Sequence, residues 1–157
     1  MELVASAARP RSAANGCLGV GDSPTCVAAP PGPGGAAQPN LEGAPLATCS
    51  LAPRTGWFRD GTCATDERDA GVHVVCAEVT AAFLAFSRDR GNDLMTPVPS
   101  AAFPGLQPGD RWCLCAARWE EARVAGVAPP VIVEATHARA AELVDPAELR
   151  AHARDQP

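Results

Sequence analysis

The sequence predicts an α+β domain, or a small α/β domain, because segments of strand character alternate with segments of helix character. Short apolar runs follow glycine or proline, and most of them lead into a stretch with a recognisable helix cap or helix stop. The 157 residues are enough for one domain of ordinary size. We therefore expect a single compact domain over residues 40–157, with about three or more strands and three to four helices.

The first predicted strand covers residues 72–79, which are rich in valine and follow Gly71. A helix is expected next, from a cap at Thr80 to a stop at Gly91. Four prolines then fall within residues 92–109, and they exclude regular structure from this loop.

The second predicted strand covers residues 111–116 and leads into a helix over residues 117–125. After two consecutive prolines, the β-branched run over residues 131–135 predicts a third strand, and Thr136 is expected to cap a short helix. The last helix has the clearest cap, because Asp145 is followed by proline and, three positions on, by glutamate.

Residues 1–39 predict a disordered tail rich in alanine, glycine and proline. They contain no aromatic residue, so they cannot bury enough surface to offset the entropy lost on ordering. Arg9, Arg11 and several serines suit an organellar transit peptide, whereas a non-functional extension is the plainer interpretation. We expect a cytoplasmic protein, or an organellar one if the tail is a targeting segment.

Composition excludes several classes of function. The chain has no lysine and no tyrosine, which rules out a Schiff-base lysine, a P-loop lysine and a tyrosine proton donor. The net charge of −5 would repel a phosphate backbone, so we expect no nucleic-acid partner. We expect no membrane partner either, because no window of about 18 apolar residues occurs. A small-molecule or protein partner stays open.

The seven cysteines are the main chemical feature of the sequence, at positions 17, 26, 49, 63, 76, 113 and 115. Their number is odd and no secretory signal precedes them. We therefore expect free thiols in a reducing compartment rather than a disulfide framework.

Cys113 and Cys115 lie two residues apart on a predicted strand, so both side chains leave the same face, together with Arg111. Two thiols on one face can chelate a metal or act as attacking and resolving cysteines. Packing in the core is the alternative, because a free cysteine is often buried as a small hydrophobe.

Other side chains could complete a site. His73 and Cys76 are three residues apart, which places them on opposite faces of a strand unless a bulge intervenes. His137 follows a predicted strand and could be functional or a local cap. The candidate metal ligands, not all in one site, are Cys63, Cys76, Cys113, Cys115, His73 and His137. Weaker candidates for ligand binding, which could equally cap turns, are Asp60, Asn92, Asp93, Asp110 and Arg111.

Several motifs occur in an order typical of one family. They include Thr55-Gly56-Trp57-Phe58-Arg59-Asp60-Gly61, Arg90-Gly91-Asn92-Asp93-Leu94, Pro108-Gly109-Asp110-Arg111-Trp112-Cys113-Leu114-Cys115-Ala116 and Glu134-Ala135-Thr136-His137. From Asn40 to His152 the chain resembles domain of unknown function family 2237, which is largely bacterial. Members of that family usually begin near the position of Asn40 and commonly have two adjacent cysteines where this chain has Thr62 and Cys63. The resemblance implies no substrate.

Three hypotheses of function follow from these residues. The first is a zinc-binding protein with Cys113 and Cys115 among the ligands. The second is thiol chemistry, with a cysteine of low pKa near Arg111 or Arg118 acting as nucleophile or redox centre. The third is a binding module in which the cysteines only pack and the polar loops contact a small molecule or a protein.

Overall fold

Two antiparallel strands, β1 (His73–Glu78) and β2 (Arg111–Cys115), form the sheet of the computed structural model. The structure describes residues 37–154, so the predicted tail over residues 1–39 lies almost entirely outside the described residues. Cys76 pairs with Cys113, and Val75 pairs with Leu114, along the ladder. Both strands lie where the sequence predicts them.

The described residues also form three α-helices, α1 (Ala81–Asp89), α2 (Ala116–Val124) and α3 (Pro146–Ala151), which contribute to the core on one face of this sheet. The predicted cap of α1 is confirmed, because the Thr80 hydroxyl accepts a hydrogen bond of 3.1 Å from the Phe83 N–H. The predicted cap of α3 is also confirmed, since the Asp145 carboxylate accepts from the Ala147 N–H at 2.9 Å. No described helix has both the length and the apolar character needed to cross a membrane.

The prediction of three or more strands is wrong, because the described residues form a sheet of only two. The predicted third strand is reduced to isolated bridges of Val131 with Ala77 and Ala153, followed by the 3-10 helix Val133–Ala135. The Thr136 hydroxyl accepts from the Cys76 N–H at 3.1 Å, so this donor of β1 is unavailable to a longer third strand.

The predicted role of Thr136 as a helix cap is wrong for the same reason. Its hydroxyl donates to the Ile132 carbonyl at 2.9 Å and is therefore engaged with the preceding turn. His137 instead caps the 3-10 helix Ala138–Glu142, because its Nδ1 accepts from the Arg139 N–H at 2.8 Å. Capping was one of the two roles that the sequence left open for His137.

The two faces of the sheet bury different side chains. On one face, Val75, Ala77 and Leu114 pack into the main core with apolar residues of α1, α2 and α3. On the other face, Cys76 and Cys113 belong to a second, smaller cluster. Residues of opposite faces alternate along a strand, so this division follows directly from the sequence pattern of β2.

Ala102 has a left-handed backbone with φ of 53° at the end of the 3-10 helix Pro99–Ala101, and its side chain is exposed. Glycine lacks the Cβ that makes this conformation costly. We expect Ala102→Gly to raise the free energy of unfolding by up to about 1 kcal/mol in urea denaturation. The matched control, Ala101→Gly, should lower it by about 0.5–1 kcal/mol, and equal losses at both positions would contradict the argument.

Candidate thiol site and four-cysteine cluster

Four cysteines form two buried disulfides, Cys49–Cys76 and Cys63–Cys113. The expectation of free thiols is therefore wrong for these four residues. The Cα atoms of the pairs lie 5.8 and 5.5 Å apart, which is normal for disulfides, but the partners are 27 and 50 residues apart in sequence. Closing such loops stabilises a fold by about 3.5 and about 4 kcal/mol in the chain-entropy description. The inference of a reducing compartment loses its basis.

The two disulfides lie side by side. The sulfur atoms of Cys49, Cys63 and Cys76 are all within 4.8 Å of one another, and Cys113 is bonded to one of them. The four residues are at most 3% exposed. We call Cys49, Cys63, Cys76 and Cys113 the four-cysteine cluster. Cys49 was not among the predicted ligands. It lies in a stretch without strand or helix periodicity, so the sequence did not indicate which residues surround it in the fold.

Cys115 is the one free cysteine of the described residues, and it is partly exposed. It is the last residue of β2 and also the N-cap residue of α2, where no side chain caps the helix by a hydrogen bond. A cysteine between a strand and a helix N-terminus lies beside unpaired backbone N–H groups and the positive end of the helix dipole.

His73 lies directly opposite Cys115 on the ladder. The register of the ladder shifts between His73 and Val75, which marks a bulge. Because His73 pairs with Cys115, and Cys115 lies on the same face of β2 as Cys113, the bulge places His73 on the face of the sheet that carries Cys76 and Cys113. The sequence allowed for this exception but could not show that it occurs.

Asp69 orients His73. Its carboxylate is completely buried and lies 2.6 Å from the His73 Nδ1, while its second oxygen accepts from the His73 N–H and the Thr65 hydroxyl at 2.9 Å each. A carboxylate that holds Nδ1–H leaves Nε2 as the free nitrogen of a neutral imidazole. Sequence reasoning missed Asp69, although an acid four residues before a histidine was the available signal.

The backbone around His73 is constrained. Val72 has φ of 50°, an outlier for a β-branched residue, and its carbonyl accepts from the Ala116 N–H at 3.0 Å. The His73 ring lies parallel to the Trp57 indole, with 6.4 Å between ring centroids. On Gly71, a Cβ atom would overlap with the imidazole. Non-glycine residues in the left-handed region concentrate at functional sites, where the surrounding structure holds the strain.

His73 and Cys115 share one cavity of about 230 Å³. Its lining consists of His73, Asn92, Leu94, Trp112, Cys113, Leu114, Cys115 and Arg118. The Arg118 guanidinium reaches the Glu121 carboxylate and the Arg90 carbonyl, at 3.2 Å each. The cavity therefore combines a thiol and an oriented imidazole with an apolar wall and one cation.

The predicted loop ligands mostly serve the turns in which they lie. Asp60 accepts from Thr62, Asp93 from Met95 and Thr96, and Asp110 from Gln107. The hydrogen bond from the Thr96 hydroxyl is the main cause of the lowered pKa of Asp93. Arg111 lies 4.0 Å from the Glu78 carboxylate on the neighbouring strand. Asn92 alone among these candidates lines the cavity, with its amide donating to the Ser87 hydroxyl at 3.1 Å.

His137 lies apart from both sites, with both ring nitrogens in hydrogen bonds. Its Nε2 is 2.8 Å from the Gln38 Oε1, while its Nδ1 accepts from the Arg139 N–H. Burial, with a smaller contribution from the Arg139 charge, lowers the pKa of His137 below its ordinary value. The ring therefore connects Gln38, near the start of the described residues, with Arg139 in the segment before α3.

The lowered pKa of His137 makes stability depend on pH. As the pH falls through the ordinary histidine pKa of about 6.5, the unfolded chain binds a proton that the folded chain does not. We expect the free energy of unfolding to fall between about pH 7.5 and about pH 5.5. His137→Gln should flatten this part of the curve in urea titrations, whereas the control His152→Gln should keep it. A curve of unchanged slope in His137→Gln would refute this assignment.

Comparison with known proteins supports the resemblance seen in the motifs. Among curated proteins, none matches the sequence. A family model described as "Uncharacterized protein conserved in bacteria (DUF2237)" matches residues 39–153. The matched range includes both disulfides, Cys115, His73 and Asp69, so the sites described above lie within the family domain. The chain thus belongs to domain of unknown function family 2237.

Proposed function

We propose that this chain is a thiol enzyme that transfers or hydrolyses small acyl groups, with Cys115 as the nucleophile. One observation carries the proposal: the free thiol of the described residues lies opposite a histidine that a buried carboxylate orients, and both line the same cavity. Nucleophile, base and orienting group are the three parts of a catalytic triad.

His73 would act as the general base. Because Asp69 occupies Nδ1, the free Nε2 would accept the proton of the Cys115 thiol and later return it to the leaving group. The buried carboxylate would also stabilise the imidazolium that forms in between. The Trp57 ring and Gly71 restrict the imidazole to the orientation that Asp69 selects.

The N-terminus of α2 would stabilise the oxyanion. The N–H groups of the first helical turn have no partner within the helix. The Ala116 N–H donates to the Val72 carbonyl, which leaves those of Ala117 and Arg118 for a ligand. Backbone N–H groups beside the nucleophile are a common oxyanion hole, and the helix dipole adds to their effect.

The proposed reaction has two steps. The thiolate sulfur attacks the carbonyl carbon of an ester or thioester, a thioester to Cys115 forms, and the leaving group departs with the proton from His73. Water then cleaves this thioester and releases a carboxylic acid, which restores the thiol. The cavity volume restricts the acyl group to a few carbon atoms, and Leu94, Trp112 and Leu114 favour an apolar one.

A test with p-nitrophenyl acetate follows from this mechanism. We expect a burst of p-nitrophenol, with one acetyl group on Cys115 in intact-mass and peptide analysis. Cys115→Ser should abolish the burst, and His73→Gln should slow it by about 10²–10⁴-fold through loss of the base. Asp69→Asn, which keeps the size of the side chain, should also slow it. A burst of normal rate in Cys115→Ser would refute the proposal.

Gly71→Ala tests the orientation of the imidazole without removing it. The added methyl group would overlap with the His73 ring and displace it from the buried Asp69 carboxylate, so a loss of folding stability accompanies the change. We expect Gly71→Ala to slow acetylation of Cys115 under conditions in which its unfolding curve shows that the variant is still folded. The control Ala70→Ser alters an exposed neighbour and should leave both measurements unchanged. A parent-like acetylation rate in Gly71→Ala would contradict the role of His73.

Zinc binding is a second candidate function, and one specific observation favours it: three sulfur atoms lie within 4.8 Å of one another. Cysteine sulfur and histidine nitrogen are preferred zinc ligands, and the predicted candidates offer both. We propose that the chain binds zinc through its cysteines. Its test is the zinc content of the chain after dialysis against zinc, before and after treatment with a dithiol. No zinc in either state would refute it.

A further inference from the structure

We infer that the four-cysteine cluster binds one zinc ion through four thiolates, and that it can do so only after both of its disulfides have been reduced. The inference rests on the zinc function proposed above and assigns its ligands and its regulation. The ligands would be Cys49, Cys63, Cys76 and Cys113, with Cys115 and His73 outside the site.

Three of the four sulfur atoms already lie close enough together to bind one metal ion. With zinc–sulfur bonds of about 2.3 Å in a tetrahedron, neighbouring sulfurs are about 3.8 Å apart. Three of the four sulfurs lie within 4.8 Å of one another, and the fourth is bonded to one of them. Each bonded pair has to separate by about 1.7 Å, and the two non-bonded distances from the Cys63 sulfur to those of Cys49 and Cys76 have to shorten by about 1 Å or less. The Cys113 sulfur lies outside this group of three and has to move toward it once its bond to Cys63 is broken, which requires a change of its side-chain rotamer.

The backbone of the cluster is held by hydrogen bonds that do not depend on the disulfides. The Cys113 N–H donates to the Thr55 hydroxyl at 2.8 Å, and the Cys76 N–H donates to the Thr136 hydroxyl at 3.1 Å. The Cys49 N–H donates to the Gly61 carbonyl at 2.7 Å, two residues before Cys63. The ligands would therefore stay close together after the sulfur–sulfur bonds are broken.

Burial makes this a closed site. All four cysteines are at most 3% exposed, so four thiolates would fill the tetrahedral coordination of zinc with no position left for water. A closed tetrathiolate site is structural and not catalytic. It would replace the two disulfides of the oxidised cluster by one metal ion bound to the same four residues.

Conversion of the two disulfides to a zinc site requires a reductant and releases protons. Two dithiol molecules give up four electrons and four protons to the two disulfides and become two cyclic disulfides, which leaves four cysteine thiols. These thiols then bind one Zn²⁺ as thiolates and release four protons. A disulfide sulfur has no thiolate charge and is a poor ligand, so the oxidised cluster would not compete for zinc.

The experiment uses the full chain reduced anaerobically with dithiothreitol, mixed with Zn²⁺ and freed of excess metal. We expect about one zinc per reduced chain and none per oxidised chain. In the zinc-loaded protein, N-ethylmaleimide should modify Cys115 but leave the four cluster cysteines unmodified, as mapped by peptide mass. The alkylation pattern is measured on the parent chain, so the result does not depend on whether a variant folds. Co²⁺ in place of Zn²⁺ should give the intense absorption of tetrahedral thiolate coordination.

Variants separate this inference from the function on which it rests. Cys49→Ser should lose the bound zinc, whereas Cys115→Ser, His73→Gln and the control Cys17→Ser should retain it. No zinc in the reduced parent chain would refute both the zinc function and this inference. Zinc that is bound by the oxidised chain, or lost in Cys115→Ser and kept in Cys49→Ser, would leave the zinc function standing and overturn the inference.

Discussion

The pairing of β1 with β2 determines where both sulfur sites lie. Cys76 and Cys113 face each other across the ladder, so their disulfides to two separate loops meet on one face of the sheet. The opposite face is apolar and packs against the helices, as alternation along a strand requires. Because the sheet of the described residues has only two strands, the fold depends on this short ladder and on the disulfides on its one face, since small sheets are marginally stable alone.

The end of the same ladder positions the candidate catalytic residues. The bulge after His73 pairs this residue with Cys115 on the ladder, and the left-handed Val72 brings its carbonyl to the first N–H group of α2. Asp69 then holds the ring from its buried side. Local irregularity of the backbone is thus concentrated where the thiol meets a helix N-terminus, and regular pairing is kept where the disulfides need it.

Sulfur chemistry differs sharply between Cys113 and Cys115, although only one residue separates them. Cys113 lies deep enough to be bonded and buried, while Cys115 marks the point where the strand ends and the cavity begins. The sequence correctly predicts that Cys113 and Cys115 lie on the same face of the strand, but this does not determine how deeply each side chain is buried. The burial of Cys113 depends on its disulfide to Cys63, which lies in a loop that is distant from β2 in sequence.

Local patterns in the sequence were sufficient to predict β1, β2 and all three α-helices, with the caps at Thr80 and Asp145, because caps and alternation involve residues within a few positions. They also singled out His73, Cys113 and Cys115. The sequence could not show that the Thr136 hydroxyl accepts the hydrogen bond of the Cys76 N–H, so that residues 131–135 do not form a third strand. It also could not show that Cys49 forms a disulfide with Cys76. It could not show which side of a bulge His73 occupies. These outcomes join residues 27 to 60 positions apart, and only the tertiary structure decides such contacts.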